Sequence, residues 1–213
     1  MHRLNYLPDY THEIAILDGT NGHVAGCDEA GRGPLAGPVV AASVVLPVGM
    51  AVDGLDDSKA LTAKRREALF DAIQANALAI GICSISAETI DRTNIRAASL
   101  AAMRNSLERI HIKPHAALFD GRDIPDGLAN EIKTEAIIKG DAKSMSIAAA
   151  SIIAKVTRDR MLVHLDDAHA DYGFAAHKGY GSAKVHQSAI QTHGGVARVH
   201  RMSFAPFRQT KLL

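Results

Sequence analysis

Apolar residues along the chain fall into short runs punctuated by glycine and proline, and their period changes from segment to segment. Val24–Asp28 is an apolar entry that ends on adjacent acids, Asp28 and Glu29, and Val39–Leu46 is almost continuously apolar. Gly31-Arg32-Gly33-Pro34 lies between them, so the two runs predict paired strands joined by a tight, backbone-rich turn. Thr62 is placed to cap a helix over Ala63–Asn76, with Leu69 and Ile73 one turn apart on its buried side. Alternation of Leu78, Ile80 and Ile82 predicts a third strand over Leu78–Ile85. From Ala87 to Ile110, Leu100, Met103, Leu107 and Ile110 recur at helical spacing. His115–Phe119 and Ile132–Ile138 read as a fourth and a fifth strand, running into Asp120-Gly121-Arg122 and Lys139-Gly140-Asp141. A long helix is predicted from Ser146 to about Ala168, and its small opening residues Ala148, Ala149, Ala150 and Ser151 let it lie close to a neighbour. Gly181–His193 reads as a last short helix, stopped by Gly194-Gly195. The expected fold is α/β: a mixed five-stranded sheet flanked by helices, with a helical C-terminal region.

The length of 213 residues suits one domain with a substantial core. We expect an irregular extension over 1–22, a catalytic body over 23–170, and a basic helical region over 171–213 packed on that body. The 47% hydrophobic and 22% charged fractions are those of an ordinary globular protein. No apolar run approaches the ~20 residues of a membrane span, and the first ten residues carry no signal pattern. Cys27 and Cys83 alone suggest a reducing compartment, so a cytoplasmic location is the expectation; nothing in the sequence fixes an oligomeric state, and a monomer is the default. The net charge is only +1, but no acid follows Asp171. That tail holds Lys178, Lys184, Arg198, Arg201, Arg208 and Lys211, with His177, His186, His193 and His200. A one-sign tail on a charge-balanced body suits a polyanion-binding face.

The acids at the strand ends carry the chemistry. Asp28 with Glu29, Asp120 and Asp141 all fall where α/β sheets place ligands, outside strand ends. Singly, each reads as a turn residue beside glycine. Together they would repel unless a hard cation such as Mg²⁺ or Mn²⁺ bound them. Successive strand residues face opposite ways, so Asp28 and Glu29 share a site only if the strand ends or twists there. Gly26–Gly33 comes near a phosphate-binding loop, but Arg32 and Gly33 replace its lysine and hydroxyl. His164 and His169 are spaced poorly for zinc, and no Cys-x-x-Cys exists; solvated or phosphate-contacting histidines fit better.

Asp28-Glu29-Ala30-Gly31-Arg32-Gly33-Pro34 closely resembles the signature of bacterial ribonuclease HII. The similarity continues through Asp57-Ser58-Lys59, Phe119-Asp120-Gly121, Lys139–Lys143, Ser146–Asp159, His177–Gly181 and His200–Phe204. Ser182 stands where the family more often has Thr, and Arg32 where the related type HIII enzymes are expected to carry Lys. The resemblance implies a ribonuclease H-like fold and Mg²⁺- or Mn²⁺-dependent cleavage of RNA in RNA–DNA hybrids. It also implies nicking on the 5′ side of single ribonucleotides embedded in duplex DNA, as in ribonucleotide excision repair. By match to the motifs, Asp28, Glu29, Asp120 and Asp141 would be the catalytic, metal-binding acids. Gly31, Arg32, Gly33 and Tyr180 would recognise the ribonucleotide.

Elementary chemistry agrees. Carboxylate-held metal ions can hydrolyse a phosphodiester without a Ser, Cys or His nucleophile. A glycine-rich turn brings backbone groups close to a 2′-hydroxyl, the group that separates RNA from DNA. Ser58, Lys59, Ser151, Lys178 and Arg201 are expected phosphate contacts. A non-catalytic hybrid- or duplex-binding module is the alternative; it would bind in a salt-sensitive manner, ignore EDTA and release no product.

Overall fold

The computed structural model describes residues 7–50, 52, 54–55 and 61–208. Its strands are β1 (Val24–Ala30), β2 (Val39–Val45), β3 (Ala79–Ile85), β4 (Ala116–Asp120) and β5 (Lys133–Ile137). Its α-helices are α1 (Thr11–Leu17), α2 (Ala63–Asn76), α3 (Ala87–Arg92), α4 (Ile95–Glu108), α5 (Met145–Ala168), α6 (Phe174–His177) and α7 (Lys184–His193). The sheet is mixed and five-stranded, in the order β3-β2-β1-β4-β5. β2 runs antiparallel to both β1 and β3, whereas β4 and β5 continue the sheet in parallel with β1.

The period-two alternation of β2 divides its side chains between two cores. Ala42 and Val44 meet Ala149, Ile152, Ile153 and Val156 of α5 together with Leu69, Phe70 and Ile73 of α2. Ala41 and Val45 face the other way, toward Ala98, Ala102, Met103 and Leu107 of α4. The sheet is therefore covered on both faces. The small residues at the start of α5 allow backbone-to-backbone approach, and the strand matches them. A Cβ on Gly26 of β1 would lie 2.1 Å from the Ser146 carbonyl carbon and 2.3 Å from the Ile147 nitrogen. Among the described residues, no helix is long and apolar enough to cross a membrane.

Thr62 caps α2 as expected, accepting from the Arg65 amide. Other boundaries moved for local reasons. The helical stretch after Ala87 is two helices, because Ser86 and Asn94 each cap a new start with their own side chains. β1 runs on to Ala30, so both Asp28 and Glu29 lie inside the strand. The expectation of an irregular N-terminal segment is corrected by α1. Seven residues are too few to reveal a helical period, and the only α1 side chain that is fully buried is an acid, Glu13. Glu13 Oε1 accepts from Ser144 Oγ at 2.6 Å and from the Ser146 amide at 2.9 Å, at the start of α5. An acid at a helix N-terminus is favourably placed against the helix dipole.

Gly26→Ala is expected to lower stability by about 1–3 kcal/mol, because backbone cannot yield as a side-chain tip can. Urea unfolding measures this; an unchanged midpoint would mean that α5 does not press on β1.

Candidate active site

The parallel pairing of β1 and β4 sets Cys27 opposite Phe119, so Asp28 and Asp120 are the next residues along neighbouring strands. Asp141 sits in a single 3₁₀ turn, Gly140–Ala142, between β5 and α5. That turn is tied to the sheet: the Gly140 amide donates to Asp120 Oδ1 at 2.7 Å. The Glu29 amide donates to Asp28 Oδ1 at 2.6 Å, and the Ser151 side chain on α5 also hydrogen-bonds Asp28. Glu29 faces the α4 side, in a small hollow of about 30 Å³ shared with Ser99, Met103, Asp120 and Arg122. Asp28 and Glu29 thus leave the strand toward opposite faces, and Asp120, at the end of the neighbouring strand, is close enough to repel both, so the two acids meet around that strand end and not on one face.

Electrostatics registers this convergence. Burial pushes Asp28 well above the usual carboxylate range, and repulsion from Glu29, Asp120 and Asp141 adds to it, against the Ser151 hydrogen bond. Burial also lifts Glu29 to about 7; Asp120 adds to the rise, while Arg32 opposes it. Arg32 Nη1 lies 3.2 Å from Glu29 Oε1, with the arginine side chain 56% exposed and the glutamate 8%. Among the described residues, no three such side chains are drawn in closely enough to form a ready-made cation cage. The acids meet through their fields, not through a closed ring of oxygens.

Beside them stands the turn after β1. The Leu35 amide donates to the Gly179 carbonyl at 2.8 Å, joining this turn to the segment that carries Tyr180. Tyr180 is 43% exposed, and a Cβ on Gly33 would lie 3.9 Å from its ring. Gly33 and Tyr180 therefore share one surface. Gly31 adopts φ +98°, and a Cβ there would come within 2.0 Å of Arg158 Nε, so only glycine suits the position. Lys178 turns its ammonium back onto the Ala175 carbonyl.

Two expected phosphate contacts are corrected. Ser151 is buried beneath Asp28, and Arg201 is fully buried, with its guanidinium directed at backbone. Arg201 donates from Nε to Gly37, from Nη1 to Arg32 and from Nη2 to Gly31, each through a carbonyl oxygen. Arg158, which the sequence reading did not single out, does the same from α5. Its Nε, Nη1 and Nη2 donate to the carbonyls of Pro38, Lys178 and Ala36. Burial pulls Arg201 down to about 9 and Arg158 to about 10, so both remain charged at neutral pH. A signal for Arg158 was present: with Ala154 and Leu162 it forms a stripe spaced by four, and a cation there needs buried acceptors. Asp91 was also missed; it accepts from the Met202 and Ser203 amides and anchors the segment beyond Arg201. His186 and His200, expected at a solvated or phosphate-binding surface, are fully buried. Ser58 and Lys59 lie outside the described residues.

Replacing a buried guanidinium by lysine keeps the charge but loses the fork. Arg201→Lys is expected to lower stability by on the order of 2 kcal/mol, since at least one carbonyl loses its donor. Denaturant midpoints test this; a neutral substitution would show that the turn holds itself.

Comparison with known proteins places this geometry. The sequence model of the family described as ribonuclease HII matches residues 25–207. Ribonuclease HII of Mesorhizobium japonicum is 55% identical over 201 residues, covering 94% of this chain and 86% of the relative. Ribonuclease HII of Brucella ovis is 50% identical over 201 residues, covering 94% and 90%. The crystal structure of ribonuclease H2 from Pyrococcus horikoshii superposes with a TM-score of 0.73 at 28% identity, covering 89% of this chain and 97% of that one. The matched span takes in the acids at the strand ends, the turn beside them and both buried arginines, on a ribonuclease H-like sheet. This chain accordingly belongs to the ribonuclease HII family and is an enzyme of the ribonuclease H class.

Proposed function

We propose that this ribonuclease hydrolyses the RNA strand of RNA–DNA hybrids and nicks duplex DNA on the 5′ side of single embedded ribonucleotides, leaving 3′-hydroxyl and 5′-phosphate ends. We further propose that it depends on Mg²⁺ or Mn²⁺ and works in the cytoplasm as a monomer. The observation that carries this reading is the placement of Asp28 and Asp120 at the same end of neighbouring parallel strands, with the turn that bears Asp141 tied to Asp120 through the Gly140 amide; burial and the neighbouring acids push the Asp28 and Glu29 carboxyls up accordingly. Acids pushed this way, with oxygen donors on adjoining strand ends, fit a hard divalent cation. Asp28, Glu29, Asp120 and Asp141 would hold it. Bound there, such a cation supplies an activated water and offsets charge on the scissile phosphate.

The chain's own groups set the stage. Ser151 and the Glu29 amide orient Asp28, and the Gly140 amide fixes one oxygen of Asp120. Arg32, held near the acids by Glu29 and largely exposed, is free to take a phosphate neighbouring the cut. Gly31 and Gly33 let backbone approach a sugar closely, and the adjacent Tyr180 ring offers a stacking face and a hydroxyl for the ribose side.

A duplex with one ribonucleotide, incubated with Mg²⁺ or Mn²⁺, is expected to give one nick with the stated ends. Asp28→Asn and Asp120→Asn are each expected to abolish it while sparing duplex binding in a gel shift. No nick with either metal would overturn the reading.

The metal-free protein carries its own test. Glu29 is raised in the folded state, from 4.5 to about 7, so the folded state holds the extra proton between those values. Its contribution to stability is thus full below pH 4.5 and is lost as pH climbs through about 7. In EDTA the melting temperature should fall over that window; Glu29→Gln should flatten the fall, and Mn²⁺ should reverse it. A pH-independent wild-type melting temperature that Mn²⁺ leaves unmoved would contradict the assignment.

A further inference from the structure

Behind Tyr180 lies a package of rings that the proposed reaction does not use. His186 of α7 and His200 are fully buried. His177 stacks on His186 with ring centres 4.5 Å apart, and Phe174 meets His186 edge-on at 5.5 Å. Tyr172, Phe174 and Phe207 close around His200 at 5.0, 5.6 and 5.2 Å. Within this apolar wrapping the polar atoms form one file. The Val196 amide donates to His200 Nδ1 at 2.9 Å. His200 Nε2 and His186 Nε2 are 3.0 Å apart, and His186 Nδ1 is 3.1 Å from the Tyr180 carbonyl oxygen.

The two ends of the file dictate its middle. An amide N–H only donates and a carbonyl only accepts. His200 Nδ1 must therefore be bare, which puts its proton on Nε2. That N–H points at His186 Nε2, which must be bare in turn, so His186 carries its proton on Nδ1 and donates to Tyr180. Every link is satisfied only when both rings are neutral. A proton added to His186 would set N–H against N–H, and one added to His200 would oppose the Val196 amide.

We propose that the His186–His200 pair is a one-way hydrogen-bond relay that positions Tyr180 beside Gly33 for the embedded ribonucleotide; this rests on the reading of Tyr180 as a substrate contact. The titratable groups facing the pair are His169, Tyr172 and His177. Burial holds both rings down, and the neighbouring histidines help to bring His200 to about 4. The relay is thus intact at neutral pH and acts as a fixed brace, not a switch. His177 steadies the same segment from the other side: its Nδ1 accepts from the Gly179 amide at 3.1 Å, and its Nε2 lies 2.7 Å from the Tyr172 carbonyl oxygen.

Long-range ¹H–¹⁵N NMR of the full wild-type chain at pH 7 reads the tautomers directly. We expect the proton on Nε2 of His200 and on Nδ1 of His186; any other arrangement, or a charged ring, overturns the relay. In steady-state cleavage of a duplex with one ribonucleotide, His186→Ala is expected to raise KM about tenfold, the worth of one ordinary hydrogen bond, with kcat nearly unchanged. His186→Asn, whose amide can still donate to the Tyr180 carbonyl, should recover most of the loss. A KM unchanged in His186→Ala, or equal losses in the two variants at equal melting temperature, overturns the proposal. Tyr180→Ala separates the two readings. If it leaves KM unmoved while the tautomers are as assigned, the substrate role of Tyr180 fails and the relay is only a brace of the fold. If it raises KM and His186→Ala does not, the relay fails alone.

Discussion

Carboxylates gathered at one end of a sheet repel one another, and burial aggravates the repulsion by removing the water that would screen it. Asp28 feels Glu29, Asp120 and Asp141 at once, yet the backbone gives none of them room to withdraw. β1 and β4 are locked in parallel register up to the residue before the acids. The Gly140 amide holds the turn with Asp141 against Asp120, and Ser151 approaches Asp28 from the opposing helix. The close seat of α5 on Gly26 and the grip of Glu13 on Ser144 and Ser146 fix that helix in turn. Stability given up at the site is thus supplied by packing around it, a distribution expected where a fold serves chemistry.

The second constraint is a turn that must stay open on one side while being held from the other. Arg158 and Arg201 reach the stretch from Gly31 to Pro38 from inside, with five of their six hydrogen bonds ending on its backbone carbonyls and the sixth on Lys178. Because one of the Arg158 acceptors is Lys178, the same network ties the turn to the segment that presents Tyr180. Cation and histidine groups of the acid-free tail are therefore divided. Some, like Arg198, project to solvent, whereas Arg201, His186 and His200 are internal struts.

That division also marks how far the sequence could be read. Strand and helix positions were legible because apolar period and capping residues agree locally, as at Thr62 and in the alternation of β3. The acids stood out as a set: one carboxylate beside glycine is an ordinary turn residue, but several at neighbouring strand ends repel without a cation. Arg201 and Ser151 were misread because residue type alone does not reveal whether a donor faces a phosphate or a carbonyl. α1 was missed because its contribution is one buried acid and not an apolar stripe. The break at Asn94 was passed over because the helical spacing that defines this stretch begins only at Leu100, although the capping side chain was in plain view. The histidine file depends on Val196 and Tyr180 coming together through the fold, which no spacing announces.

The central claim is that acids distant in sequence act as one divalent-cation site. Electron paramagnetic resonance of free Mn²⁺ titrated with the full chain measures this without any cleavage step. The account predicts saturable binding by the wild-type protein, weakened at least about tenfold by either Asp28→Asn or Asp120→Asn, since each removes a charged oxygen ligand. Undiminished Mn²⁺ affinity in both variants would contradict it.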